Sequence, residues 1–196
     1  MVVGDISATS SSSGHYQINL PAGQHALTLS VDGYITYEGT ITMVSQHTGS
    51  YDFHMSPLLG PDGFRIVLTW SNDPADLDTH LQFGNPACSE IYYPLNRRTI
   101  NCGGVAGSLD LDDVNGEGPE TLTLSNLNSC SGRGRCDKWT YKVKNYSGHY
   151  GPNSGWAGSE AVVILYNGDH TVAAYRVREV ASGGHGTAVI LARPWR

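Results

Sequence analysis

The sequence predicts an all-β protein of two tandem β-sandwich domains, and three observations predict it. Apolar residues recur with a period of two along most of the chain, and no segment sustains a helical stripe. Gly, Ser, Thr, Asn and Tyr are abundant while charged residues make up only 15%, as many short strands joined by tight turns require. Turn signals such as Pro21-Ala-Gly23, Asp32-Gly33 and Asn167-Gly-Asp169 fall between the alternating runs.

In chain order, Tyr16–Leu20 and His25–Val31 read as two strands around the Pro-Ala-Gly turn. Tyr34–Tyr37, Thr40–Val44 and Ser50–Met55 follow as further strands. Leu58-Leu-Gly-Pro-Asp-Gly63 is a break with a proline and two glycines, so residues 59–63 read as a linker between domains at 1–58 and 64–196. The second segment offers Phe64–Trp70, Leu77–Phe83, Glu90–Tyr93, Gly107–Leu111, Glu120–Leu124 and Lys138–Asn145. Ala161–Tyr166 and Thr171–Val177 form a hairpin across Asn167-Gly-Asp169, and Thr187–Leu191 closes the chain.

Composition excludes some partners. The 196 residues carry a net charge of −6, and Arg97-Arg98 is the densest basic stretch, so a nucleic-acid partner has no basic surface to meet. No stretch reads as a membrane span or a signal peptide, and the chain reads as a mature product or a fragment of something longer. Cys88, Cys102, Cys130 and Cys136 lack the paired C-x-x-C spacing of a zinc ribbon. Local disulfides Cys88–Cys102 and Cys130–Cys136 are the simplest of three pairings, with reduced structural thiols as the alternative. Disulfides would place the protein in an oxidising compartment, secreted or at the cell surface.

Two resemblances bear on the domains. Gly14-His-Tyr16, Leu20-Pro-Ala-Gly23, Leu27-Thr-Leu-Ser-Val31 and Gly33-Tyr34 resemble a carboxypeptidase regulatory-like (transthyretin-like) domain over about fifty residues. Such domains are accessory modules, so this likeness implies an incomplete immunoglobulin- or transthyretin-like sandwich without activity. Little more than Met1 precedes the position matching Val2-Val3-Gly4, so the domain is expected to lack its first strand and leave a sheet edge open. Leu68-Thr-Trp70, Asp76-Leu-Asp-Thr-His-Leu81, Leu109-Asp-Leu-Asp-Asp113, Gly116-Glu-Gly-Pro-Glu120 and Val143-Lys-Asn-Tyr-Ser-Gly148 resemble bacterial surface and periplasmic domains of the YfaP type. That likeness implies a larger jelly-roll-like or immunoglobulin-like sandwich and supplies no reaction.

Seven carboxylates sit in two runs. Asp76 and Asp78 share a strand face with His80, and the same alternation puts Asp110 and Asp112 on one face. Asp113, Glu117 and Glu120 follow in or beyond a glycine-rich bend. Like charges brought together repel, and a hard cation with flexible oxygen coordination, Ca²⁺, removes that repulsion. The expected ligands are Asp76, Asp78, Asp110, Asp112, Asp113 and Glu117. The competing reading is turn capping and pairing with Arg65, Arg97 or Arg98; a catalytic carboxylate pair is a third.

Nucleophilic catalysis has little to stand on. There is no Gly-x-Ser-x-Gly elbow, the eight histidines lack ligand spacing, and no glycine loop opens a helix that would cradle phosphate. His80 is expected to orient Asp76 or Asp78. Trp139, Tyr141, Tyr146, Tyr150 and Trp156 offer a recognition surface for glycans or peptides, with sandwich core as the plainer role. Asn145-Tyr-Ser147 is an N-glycosylation acceptor pattern.

The sequence therefore reads first as a non-catalytic extracellular structural protein. It would self-associate into a homo-oligomer or filament, with Met1–Ile6 or the C-terminal Thr187–Arg196 segment adding a strand to a neighbour's open edge. The alternatives are a calcium-dependent glycan- or peptide-binding adhesion module, and an accessory domain of a secreted peptidase.

Overall fold

Alternation of apolar and polar residues produces three antiparallel sheets in two separate units, Met1–Leu58 and Leu59–Arg196. The computed structural model describes residues 1–45, 48–49, 53–71, 74–84, 88, 90–114, 116, 118–130, 139–147, 159–177 and 187–192, with residues 130 and 187–192 as backbone only. The protein is all-β, with no α-helix among these residues beyond a single helical position at Val177.

The first unit holds one four-stranded sheet of β1 (Val2–Val3), β2 (Ile6–Ser7), β3 (Gly23–Leu29) and β4 (Tyr37–Met43), in the order β2-β1-β3-β4. Val2 and Val3 pair with Ser7 and Ile6 on one side and with Thr28 and Leu27 on the other. The chain start, expected to leave an edge open, therefore lies inside its own sheet, and Val3 belongs to the core with Leu27, Leu29 and Ile41. Ile18, Leu20, Phe53 and Met55 cover that core from segments that join no strand. Tyr16–Leu20 is thus not a strand: its alternation reports which side chains face inward, and no neighbour pairs with its backbone in a ladder. Among the described residues this unit is one four-stranded sheet covered by irregular chain, in keeping with an incomplete sandwich. Asp32-Gly33 does turn, with Gly33 at φ +83° and the Tyr34 N–H donating to the Val31 carbonyl.

The second unit is a sandwich. Its larger sheet runs β12-β11-β5-β9-β8-β7, built from β5 (Phe64–Thr69), β7 (Thr99–Cys102), β8 (Val105–Leu111), β9 (Glu120–Ser125), β11 (Val162–Asn167) and β12 (His170–Arg176). The smaller runs β13-β10-β6, with β6 (Leu77–Phe83), β10 (Trp139–Asn145) and β13 (Thr187–Ala192). Every second side chain enters the space between the sheets. Phe64, Ile66 and Leu68 of β5, with Leu122 and Leu124 of β9, meet Leu81 and Phe83 of β6 and Trp139, Tyr141 and Val143 of β10. Phe64 and Trp139 touch edge to face, ring centroids 5.7 Å apart. The closing run Thr187–Ala192 pairs with Thr187 opposite Lys144 and Ala192 opposite Trp139, inside its own chain's sheet.

Strand β6 is an edge strand whose outer side is closed in pieces. Glu90–Tyr93 forms no full strand; only Ile91 bridges to Leu81, through two bonds of 2.9 Å. The Cys88–Cys102 disulfide ties the exit of β6 to the end of β7, joining the two sheets at one end. Of the second expected disulfide, Cys130–Cys136, the Cys130 side chain and all of Cys136 lie outside the described residues.

Close packing singles out Gly107 on β8. A Cβ there would lie 2.6 Å from Ile91 Cδ1 and 2.8 Å from Leu124 Cδ2. Gly107→Ala is expected to lower stability by about 1–3 kcal/mol through overpacking, read as a shifted denaturant midpoint at unchanged slope. A midpoint equal to that of the wild type would contradict this packing.

Candidate metal centre

The carboxylates of Asp78, Asp112 and Glu120 converge, each offering an oxygen within 4.8 Å of the others. They come from three places. Asp78 stands near the start of β6, Asp112 just past β8, and Glu120 opens β9, so the cluster spans the two sheets.

Each position has a local cause. Glu120 shares the inward phase of Leu122 and Leu124, which carries its side chain between the sheets. Gly118, at φ +66°, lets the chain pass against Trp70 on the way into β9; a Cβ there would sit 2.8 Å from the indole. One Glu120 oxygen accepts the Thr79 N–H at 2.5 Å. Thr79 also shares a 2.9 Å hydrogen bond with the buried Tyr141 hydroxyl. Asp112 accepts from Arg98 Nη2 with one oxygen, and Arg98 Nε donates to the Tyr93 carbonyl at 2.8 Å.

What remains is a set of oxygens without donors. Asp78 is 4% exposed and Glu120 1%, yet Asp78 Oδ2, Glu120 Oε1 and Asp112 Oδ1 are buried and have no hydrogen-bond partner among the described residues. Buried polar atoms are nearly always satisfied, and a buried unpaired carboxylate costs several times more than a neutral group. Burial pushes the Asp78 carboxyl up to about 7, with the Asp76 charge adding and Lys144 opposing. Burial pushes Glu120 up to about 9 against the stabilising hydrogen bonds from Thr79. Asp76 is also raised, by burial and then by the charges of Asp112 and Asp113. Its Oδ1 is a fourth buried oxygen without a donor, so Asp76 and Asp113 flank the three convergent groups.

Several expected site residues lie elsewhere. Asp110 is not with Asp112, because a register shift between Leu109 and Leu111 breaks the alternation. It accepts hydrogen bonds from Ser108 and Thr123, while Leu111 turns out to solvent. His80 does not orient Asp76 or Asp78; its Nδ1 is 3.3 Å from Glu90 Oε1 and its ring stacks on Tyr92. Trp139 is core, so it cannot be part of a ligand surface. Asn145, the expected glycan acceptor, is 5% exposed, and its side-chain oxygen lies 3.4 Å from the Ser147 hydroxyl that can donate to it. Tyr146 is exposed. Glu117, Tyr150 and Trp156 fall outside the described residues. Of the expected arginine partners, Arg98 does hold Asp112, whereas Arg65 donates to Thr123. Glu120 was missing from the expected ligands, although its phase with two core leucines was readable.

No family model matches the sequence, and no curated protein matches it. Among solved structures, the crystal structure of SAV2460, a protein of unknown function, is similar to 70% of this chain and 91% of its own, at 13% identity and a TM-score of 0.43.

The raised carboxyls make a signed prediction. A carboxyl with a higher pKa in the folded chain keeps its proton longer when folded, so the fold is favoured at pH values below the unfolded value near 4. That contribution is lost as pH rises through about 7 for Asp78 and about 9 for Glu120. Chelator-treated protein should melt at progressively lower temperature from pH 5 to pH 9, and excess calcium should flatten the decline. A melting temperature that rises across that interval in chelator would contradict the assignment.

Proposed function

We propose that the larger unit is a non-catalytic module that binds a divalent cation, with Ca²⁺ as the ion, and that it works outside the cell or at its surface. The observation that carries this reading is the convergence of Asp78, Asp112 and Glu120 with donor-free oxygens, two of the residues being almost wholly buried. Three carboxylates that repel one another between two sheets destabilise the fold unless positive charge joins them. Arg98 supplies some, but it occupies only one oxygen of Asp112.

The donor set favours a hard ion. All its atoms are carboxylate oxygens, with no sulfur or imidazole, which disfavours zinc and copper. Mg²⁺ gives up its waters reluctantly, whereas Ca²⁺ accepts six to eight oxygens in loose geometry and suits a closed site. The cation would act as a clasp between β6 of one sheet and β8 and β9 of the other. The Cys88–Cys102 bond supports an oxidising location.

Self-assembly by strand exchange has less to rest on. Both expected donor segments, at the chain start and at Thr187–Ala192, already occupy ladders of their own chain, so exchange would first have to break them.

Calorimetric titration of chelator-treated protein with calcium should show one saturable site that Asp78→Asn and Glu120→Gln each remove. At a hundredfold excess over Kd the ion should stabilise the fold by about 2.7 kcal/mol. The variants separate a cation site from ordinary packing by sign: without calcium, Asp78→Asn at pH 8 and Glu120→Gln at pH 10 should each melt above the wild type, since a buried charge is gone, and neither should gain from calcium. Wild-type protein that takes up no calcium, or variants that bind it equally, would sink the proposal.

A further inference from the structure

Lys144 stands on the same side of the smaller sheet as Asp78. The core takes Tyr141 and Val143 from β10, so the alternation turns Lys142 and Lys144 the other way. In the ladder between β10 and β6, Lys144 is the residue directly opposite Asp78. Side chains so paired share a face with Cβ atoms about 4.5–5.5 Å apart, well within a lysine's reach. The lysine's charge is felt at both acidic residues of this segment, where it opposes the upward shift that burial gives Asp78 and Asp76.

The ammonium is nevertheless held elsewhere. Lys144 Nζ sits 5.2 Å from the centre of the Tyr146 ring, two residues along the chain. That ring is fixed from two directions. The Tyr146 N–H donates to the Asp76 carbonyl at 3.1 Å, and the exposed ring of Tyr93 meets it with centroids 6.1 Å apart. Lys142, one outward position back along β10, is instead 3.8 Å from Glu90 Oε1. With Lys144 on the ring, Asp78 Oδ2 keeps no hydrogen-bond partner among the described residues.

Two positions therefore compete for one ammonium. On the Asp78 carboxylate it would occupy an oxygen that an incoming cation needs, and would repel that cation. On the ring face it leaves the oxygen open. We propose that Lys144 is the site's built-in competitor for its cation, and that Tyr146 raises cation affinity by drawing the ammonium off Asp78. This rests on the cation reading above and adds to it what sets the affinity of that site. Ring and ion bias the same lysine equilibrium, so their effects are coupled: a chain without the lysine has no use for the ring.

The experiment is a double-mutant cycle read by calcium calorimetry on the full chain at pH 8. Lys144 is half-buried and Tyr146 exposed, so neither change empties the core. Lys144→Met should tighten calcium binding by about three- to tenfold, as loss of a positive charge beside a divalent ion requires. Tyr146→Ala should weaken it by about two- to fivefold, the worth of an exposed cation–π contact. Tyr146→Phe, which keeps the ring face, should bind as the wild type does. In the Lys144→Met background, Tyr146→Ala should have no effect. An equal loss from Tyr146→Ala with and without the lysine overturns the proposal, because the ring would then act by another route. So does an unchanged affinity in Lys144→Met. Lys142→Met that tightens binding as much as Lys144→Met also overturns it, since net charge alone would then account for the gain. Wild-type protein that takes up no calcium overturns the cation reading itself, which keeps the two failures apart.

Discussion

An edge strand that must close over a core has to place its outward N–H groups somewhere, and β6 does so by recruiting acceptors from the irregular segment that follows it and from the opposite sheet. Leu81 finds the Ile91 carbonyl, and Thr79 finds the carboxylate of Glu120. The second solution shapes the rest of the unit. A carboxylate brought between two sheets satisfies one N–H but leaves its other oxygen in a dry space. Asp78 and Asp112 then sit within reach of it, and the end of the sandwich gathers carboxylates that packing alone does not stabilise when ionised.

Charge of that kind makes the surrounding loops matter. Arg98 reaches in from the turn after Tyr93, and Ser147 anchors the backbone of Asp76 by accepting its N–H. The segments that carry the exposed tyrosines are therefore the same ones that hold the acidic residues. Packing deeper in the sandwich, around Phe64, Leu122 and Leu124, would serve any β-sandwich of the size.

Much of the larger unit was legible because a period of two survives in a strand buried on one face. Leu77–Phe83 begins and ends where the alternation does, and the β11–β12 hairpin turns at Gly168, whose φ of +60° suits glycine. What failed did so where backbone pairing, and not side-chain phase, decides. The register shift in β8 sent Asp110 and Asp112 apart, and no residue type there announces it. Thr99–Cys102 pairs as β7 although its sequence is too polar to read as a strand. In the first unit, Tyr16–Leu20 keeps the alternation and has no partner strand. Glu120 was the legible signal that went unused, an acidic residue in phase with Leu122 and Leu124. The convergence of three segments on it is a tertiary fact that spacing along the chain does not encode.

The Cys88–Cys102 bond encloses the Ile91 bridge, Tyr93 and Arg98 in one covalent ring with a sequence separation of 14. Under tension applied along the chain, force would pass through the two sulfurs and around that ring. About 50 Å of contour, at roughly 3.3–3.6 Å per residue, is thereby withheld from extension. A module pulled from both ends would then lose its outer strands while the loop beside the carboxylates stayed closed and took no load.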